Sequence, residues 1–208
     1  MKSSELRIIG GKFKRKKIAF NSTNIANIAL RPTLDRVRET VFNWLDPYLL
    51  GANCLDLFAG TGIFSFEALS RGANFSVAIE IDLPTYKDII ANQHKLQLND
   101  QQFIVLRQDV LLFLKNPITL ESLENNNVNN KKFNIVFLDP PYRDPEILLI
   151  TLNQLIINKI LSKTAKIYFE CYQNSSILED INFPKQLKIS KFSKAGKVKF
   201  YLLDYVKN

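Results

Sequence analysis

From residue 53 onward, short apolar runs alternate with longer stretches of helical periodicity, and this alternation confines the chain to few folds. Residues 53–58, 75–81, 103–107, 133–138 and 165–171 read as buried strands. Residues 63–71, 82–98, 110–114 and 145–161 read as the helices between them. Strands joined through helices pair in parallel, so the repetition predicts an α/β fold with helices on both faces of a mostly parallel sheet. The last two runs, 187–192 and 198–206, flank Ala195-Gly196 and are too close for a helical crossover. They read as an antiparallel C-terminal hairpin, which brings the sheet to seven strands.

The first part of the chain follows a different pattern. Residues 5–20 read as a small β-hairpin around Gly10-Gly11. Thr33 follows Pro32 as a candidate helix cap, and Leu34, Val37, Val41, Trp44 and Leu45 recur at helical spacing until Asp46-Pro47, where the helix is expected to stop. This divides the chain into a basic N-terminal extension, 1–30, and a larger domain, 31–208. The Asn-rich segment 116–132 reads as a surface loop.

Charge and rare residues narrow the function. The net charge is +8, which suits a polyanionic partner. The charge is clustered: Lys12, Lys14, Arg15, Lys16 and Lys17 form one block, and Lys185, Lys188, Lys191, Lys194, Lys197 and Lys199 another. Cys54 and Cys171 lie far apart in apolar runs, which predicts two buried, reduced thiols and neither a disulfide framework nor a metal site. His94 is the only histidine and falls in a polar helical stretch, which argues against a Ser-His-Asp mechanism or a histidine metal site. No run reaches the ~20 apolar residues of a membrane helix, and the N-terminus lacks the apolar core of a secretory signal. The expectation is a cytoplasmic protein without a membrane association.

Four motifs fall at the carboxyl ends of successive strands, where doubly wound folds bind ligands. The first is Asp56-Leu57-Phe58-Ala59-Gly60-Thr61-Gly62. Its glycines permit a tight turn and close approach of backbone to a ligand. With Ser65 at the third position it is neither the dinucleotide fingerprint nor a P-loop, and Asp56 would repel a phosphate. An ammonium or hydroxyl group suits it better. The second motif is Glu80, an acceptor for the hydroxyls of a ribose; Asp82, two residues on, reads as a helix cap. Together these indicate an adenosine-containing cofactor. The third is Asp109, which could meet an adenine amino group or merely cap the helix at 110–114. The fourth is Asp139-Pro140-Pro141-Tyr142. Two prolines stiffen the turn, so that the Asp139 carboxylate and Pro140 carbonyl can grip both hydrogens of an amino group. Tyr142 offers a face on which a base can stack.

With these motifs in order, the sequence resembles the Rossmann-like class I S-adenosylmethionine-dependent methyltransferases. More narrowly it is similar to the RsmD-type 16S ribosomal RNA guanine-N2 methyltransferases, through RIIGGKFKRKKI, RPTLDRVRETVFNWL, CLDLFAGTGIFSFEALSRGA, FNIVFLDPPY and AGKVKFYLLDY. The resemblance implies S-adenosylmethionine as cofactor, 16S rRNA of the small ribosomal subunit or its assembly intermediate as partner, and a monomer. It implies Arg31, Thr33, Asp56, Phe58, Gly60, Thr61, Gly62, Glu80, Ile81, Asp109 and Val110 around the cofactor. Asp139, Pro140, Pro141 and Tyr142 would hold the target guanine. Arg7, Lys12, Lys14, Arg15, Lys16 and Lys17 would touch RNA.

The tetrapeptide does not choose the base. A DNA adenine-N6 methyltransferase shares its chemistry, but the catalytic fold leaves little chain for a sequence-reading domain. A nucleic-acid-binding protein without catalysis would not need Gly60, Gly62, Glu80 and Asp139 together.

Overall fold

A computed structural model describes residues 3–21, 35–115, 132–140 and 144–206. Two strands, β1 (Ser3–Arg7) and β2 (Lys17–Asn21), pair antiparallel. Helix α1 (Asp35–Leu49) leads into β3 (Asn53–Asp56), α2 (Ile63–Ser70), β4 (Phe75–Glu80), α3 (Leu83–Lys95), β5 (Phe103–Arg107) and α4 (Val110–Lys115). Then come β6 (Phe133–Leu138), α5 (Pro145–Ile157), β7 (Leu161–Tyr172), β8 (Leu187–Ala195) and β9 (Val198–Tyr205). The seven-stranded sheet has the order β5-β4-β3-β6-β7-β9-β8. Its first five strands are parallel, and β9 is antiparallel to both β7 and β8. The expected α/β architecture with an antiparallel closing hairpin is therefore present.

The period of each segment explains its place. β3 and β6 are largely buried on both faces because both faces of the sheet are covered, and in β3 this includes the polar Asn53 and Asp56. One face carries a core of Phe42, Phe64, Phe66, Phe137 and Tyr168 under α1 and α2. The other carries Leu55, Leu138, Leu148, Leu152 and Phe169 under α5. All eight residues of α2 are buried, which marks it as a central helix.

Three boundaries differ from the sequence expectation. Pro47 does not stop α1, which continues through it to Leu49. Leu49 is buried, and a proline this near a helix end forfeits only one intrahelical bond. α5 ends at Ile157, and Leu161 already belongs to β7, because the apolar run 147–161 has no period that separates helix from strand. In the N-terminal hairpin β1 ends at Arg7, and residues 12–15 form a turn, not strand.

That hairpin is fastened to the domain by polar groups. Glu67, wholly buried in α2, accepts from the amides of Ile9 at 2.7 Å and Gly10 at 2.8 Å and from Arg71 Nε at 2.8 Å. Arg38 of α1, also wholly buried, donates to the Arg7 carbonyl at 3.1 Å. Gly11 has φ +72°, and a Cβ there would lie 1.8 Å from the Ser70 carbonyl oxygen, so both backbone conformation and packing require glycine. Ile8, Phe13 and Ile18 join the main core.

Candidate functional site

The parallel strands of the sheet end on one edge, and the sequence order reverses between β3 and β6. The crevice at such a reversal is the binding position of open α/β sheets. The chain leaves β3 through a glycine turn in which Gly60 (φ 51°) and Gly62 (φ 73°) both take left-handed conformations. The Gly62 amide closes this turn onto the Ala59 carbonyl at 2.7 Å. Phe58 is half-buried beside it, whereas Thr61 is buried.

Glu80 ends β4 next to the turn. Its Oε2 accepts from the Gly60 amide at 2.8 Å and its Oε1 from the Asp82 amide at 2.8 Å. Burial holds the carboxyl above the usual range, against the pull of these two donors. Asp82 caps α3, accepting from Thr85 N and Thr85 Oγ1, as expected. Ile81, between them, is 62% exposed, an apolar side chain beside the glutamate at the open edge.

Asp56 lies beneath the turn, 2% exposed. Its Oδ2 accepts from Ser65 Oγ at 3.0 Å, and Ser65 in turn accepts from Ser76 Oγ at 3.1 Å. Burial pushes the carboxyl up to about 7; the Ser65 bond opposes this and the nearby Glu80 charge adds to it. Among the described residues, no Lys or Arg pairs with Asp56 or Glu80. The position after Gly60 and Gly62 that would be a third glycine is thus a serine with a purpose: it orients a buried carboxylate. Its polarity within an apolar helix was the signal for that role, and Glu67 in the same helix carried the same signal for hairpin docking.

Asp109 follows β5. Its Oδ1 accepts from the Leu112 amide at 3.0 Å, capping α4, and Val110 is buried in the core. The Gln108 amide donates to the Glu80 carbonyl at 3.2 Å, which draws this strand end toward the glutamate.

Asp139 and Pro140 follow β6, half-buried and buried respectively. Asp56 and Phe137 are paired across β3 and β6, and the Leu57 amide bonds the Phe137 carbonyl at 3.2 Å. The Asp139-Pro140 turn therefore starts level with the glycine turn on the adjacent strand. Pro141, Tyr142, Arg31 and Thr33 lie outside the described residues, as does nearly all of the 116–132 segment.

The first basic block sits elsewhere. Lys12 donates its amide to the Ser70 carbonyl at 2.7 Å, and Phe13 donates to Ser70 Oγ at 2.8 Å. Ser70 ends α2 next to the turn into β4, at the amino edge of the sheet. Lys12 and Lys16 lie over the Phe13 ring at 5.3 and 5.2 Å, and Lys17 pairs with Glu5 at 2.6 Å. Arg7, Lys14 and Arg15 are exposed. Six residues of β4 at ~3.3 Å each put this block about 20 Å from the edge that carries Glu80. His94 is exposed on α3, and Cys54 and Cys171 are buried thiols.

A family model described as conserved hypothetical protein 95 matches residues 6–204. The chain belongs to that family. It is 34% identical over 201 residues to the ribosomal RNA small subunit methyltransferase D of Buchnera aphidicola subsp. Acyrthosiphon pisum, covering 97% of this chain and 94% of that protein. It is 38% identical over 168 residues to the protein of the same name in Escherichia coli strain K12, covering 81% of this chain and 75% of that one. A solved Escherichia coli structure, described as a candidate methyltransferase named YhhF, superposes with a TM-score of 0.77 at 32% identity, covering 99% of this chain and all of that one. The resemblance to the RsmD-type proteins and the class I methyltransferase fold are both borne out.

Proposed function

We propose that the protein transfers a methyl group from S-adenosylmethionine to the exocyclic N2 amino group of a guanine in 16S rRNA, in the cytoplasm. The observation that carries this reading is the adjacency of two dissimilar half-sites at the sheet reversal. One is the acidic, glycine-lined crevice of Asp56, Gly60 and Glu80; the other is the Asp139-Pro140 turn. Support for the substrate comes from the relatives, which carry the name ribosomal RNA small subunit methyltransferase D.

The crevice fits the cofactor by its charge. Burial raises both carboxyls, the Glu80 charge raises Asp56 further, and among the described residues no cation pairs with either. Such a site repels phosphate and favours a cationic ligand with hydroxyls to donate. Glu80 would receive the ribose hydroxyls on the lone pairs left by Gly60 and Asp82, and Asp56 would face the aminoacyl ammonium. Exposed Ile81 would cover the adenine, the Asp109 carboxylate would accept from the adenine amino group, and a neighbouring backbone amide would donate to an adenine ring nitrogen. When bound, the cofactor supplies a methyl group on a sulfonium leaving group.

The chain's own work is alignment and electrostatics. The amino nitrogen of guanine is a poor nucleophile because its lone pair is delocalised into the ring. The Asp139 carboxylate and Pro140 carbonyl both accept, so they favour a pyramidal nitrogen and stabilise its developing positive charge. Tyr142, two residues on in the sequence, offers a stacking face. Arg7 and the Lys12–Lys17 block would contact RNA remote from the target base.

Transfer of a tritiated methyl group to 30S particles, naked 16S rRNA and DNA, followed by nucleoside analysis, tests the reading. N2-methylguanosine in rRNA is the expected product. N6-methyladenine in DNA would replace this reading with the adenine one.

A further inference from the structure

The second lysine cluster has a position that its sequence does not disclose. β8 is antiparallel to β9, which is antiparallel to β7, which is parallel to β6. β8 therefore runs in the same direction as β6, and the β8–β9 turn lies on the same edge of the sheet as Asp139. The register makes this specific. Leu138, Phe169, Tyr201 and Phe192 form one transverse row across β6, β7, β9 and β8. Leu138 immediately precedes Asp139. Lys194 and Lys199, paired with each other, lie two residues beyond that row toward the edge, and Lys197 is in the turn.

The opposed charges of this tip are not explained by a partner within the fold. Lys194 and Lys199 are directly opposed like charges, a pairing that costs stability. Among the described residues, neither they nor Lys197 has an ion-pair partner. Residues 181–203 contain six lysines and no acid. The rings of Phe169, Tyr201 and Phe192 stack stepwise, with centroids 5.0 and 5.1 Å apart, and the outermost, Phe192, is 52% exposed. The tip is also held in place, because the Gln173 amide at the end of β7 donates to the Lys197 carbonyl at 2.9 Å.

We infer that the β8–β9 hairpin tip grips the single-stranded RNA beside the target base, its phosphates on Lys194, Lys197 and Lys199 and a flanking base on Phe192. Three strand spacings of ~4.8 Å put Phe192 about 14 Å from Leu138, a distance that a few nucleotides bridge. An exposed ring next to unpaired lysines is the chemistry of single-strand binding surfaces. The basic block at Lys12–Lys17, at the opposite edge, cannot serve this segment. The inference rests on RNA being the substrate.

The test compares the full-length protein with K194Q/K197Q/K199Q and with a charge-matched control at the amino edge, K132Q/K159Q/K163Q. Binding to a 16S rRNA fragment is titrated over a range of salt, methyl transfer is assayed in parallel, and S-adenosylmethionine binding is measured by calorimetry. The tip variant should raise the RNA KM at least tenfold and lower the salt slope by about 2, three contacts at roughly 0.7 each. Its cofactor affinity and the control variant should stay within twofold of the parent. A tip variant with the parent's RNA affinity and salt slope overturns the inference while the methyltransferase reading stands. Loss of RNA binding in the tip variant of a parent that binds but does not methylate the fragment keeps the surface and overturns the activity. A parent that neither binds nor methylates RNA overturns both.

Discussion

The amide of Gly60 donates to Oε2 of Glu80 across 2.8 Å, so the last residue of β4 fastens the turn that follows β3. Glu80 is thus part of the crevice's wall before any ligand arrives. Its other oxygen holds the Asp82 amide, which links the same carboxylate to the start of α3.

Replacement of Glu80 by Gln should therefore have two effects. The new NH2 group faces one of two amide donors, and the charge-assisted bonds to the cofactor are lost. Loss of ~1.5–3 kcal/mol of charged hydrogen bonding corresponds to roughly 10- to 100-fold weaker S-adenosylmethionine binding. The melting temperature should fall as well, since a donor at the turn loses its acceptor. Calorimetric titration checks the first effect and scanning calorimetry the second; unchanged affinity would remove Glu80 from the cofactor site.

Asp56 sets a pH dependence whose sign follows from its burial. In the folded protein it keeps its proton up to about 7, whereas an unfolded aspartate releases it near ~3.9. Between these values the native state binds more protons, so stability falls as pH rises through this window and the loss is complete above about 7. A cationic ligand needs the ionised form, so cofactor affinity should rise about tenfold per pH unit below 7 and level off above it. Both dependences should weaken in D56N, measured by denaturant titration and by calorimetry, with the raised Glu80 carboxyl left as the remaining contributor. An identical pH profile in D56N would assign the effect to another group.

Much of this was readable beforehand, for reasons that particular residues make plain. Gly60, Gly62, Glu80 and Asp139 sit at strand ends, and strand ends in a parallel sheet converge on one edge whatever the packing details. Asp82 was legible as a cap because Thr85 follows at capping distance. The edge on which each lysine block lies was not legible. It depends on how the first hairpin docks against Ser70 and on how many antiparallel steps separate β8 from β6. Docking in turn depends on Glu67 and Arg38, whose patterns say only that buried charge needs partners. Pro47 misled because proline's cost is counted locally, while the burial of Leu49 is tertiary.

Glu67 should be among the most sensitive positions outside the crevice. E67A removes the acceptor for the Ile9 and Gly10 amides and the one buried carboxylate beside the Arg38 and Arg71 guanidiniums, which keep only the exposed Asp35 and Asp46 as partners. Breaking a buried charge network from one side costs about 3–5 kcal/mol. Urea denaturation should show that loss, and amide exchange at Ile9 and Gly10 should rise far more than exchange in β3. A loss under 1 kcal/mol would mean that the hairpin is held by its apolar contacts alone.

Asp139 separates chemistry from binding. It follows β6, across the reversal from the Gly60–Glu80 wall, on the side that the proposed reading gives to the target amino group and not to the cofactor. D139A should therefore leave S-adenosylmethionine affinity within a few-fold of the parent. Methyl transfer should fall by at least 10²-fold, the scale seen when one preorganised group is removed from a developing charge. Single-turnover transfer to 16S rRNA, with cofactor binding measured on the same preparation, distinguishes the two. Retained transfer would sink the amino-group role of the turn, and a parallel collapse of cofactor binding would move Asp139 into the crevice.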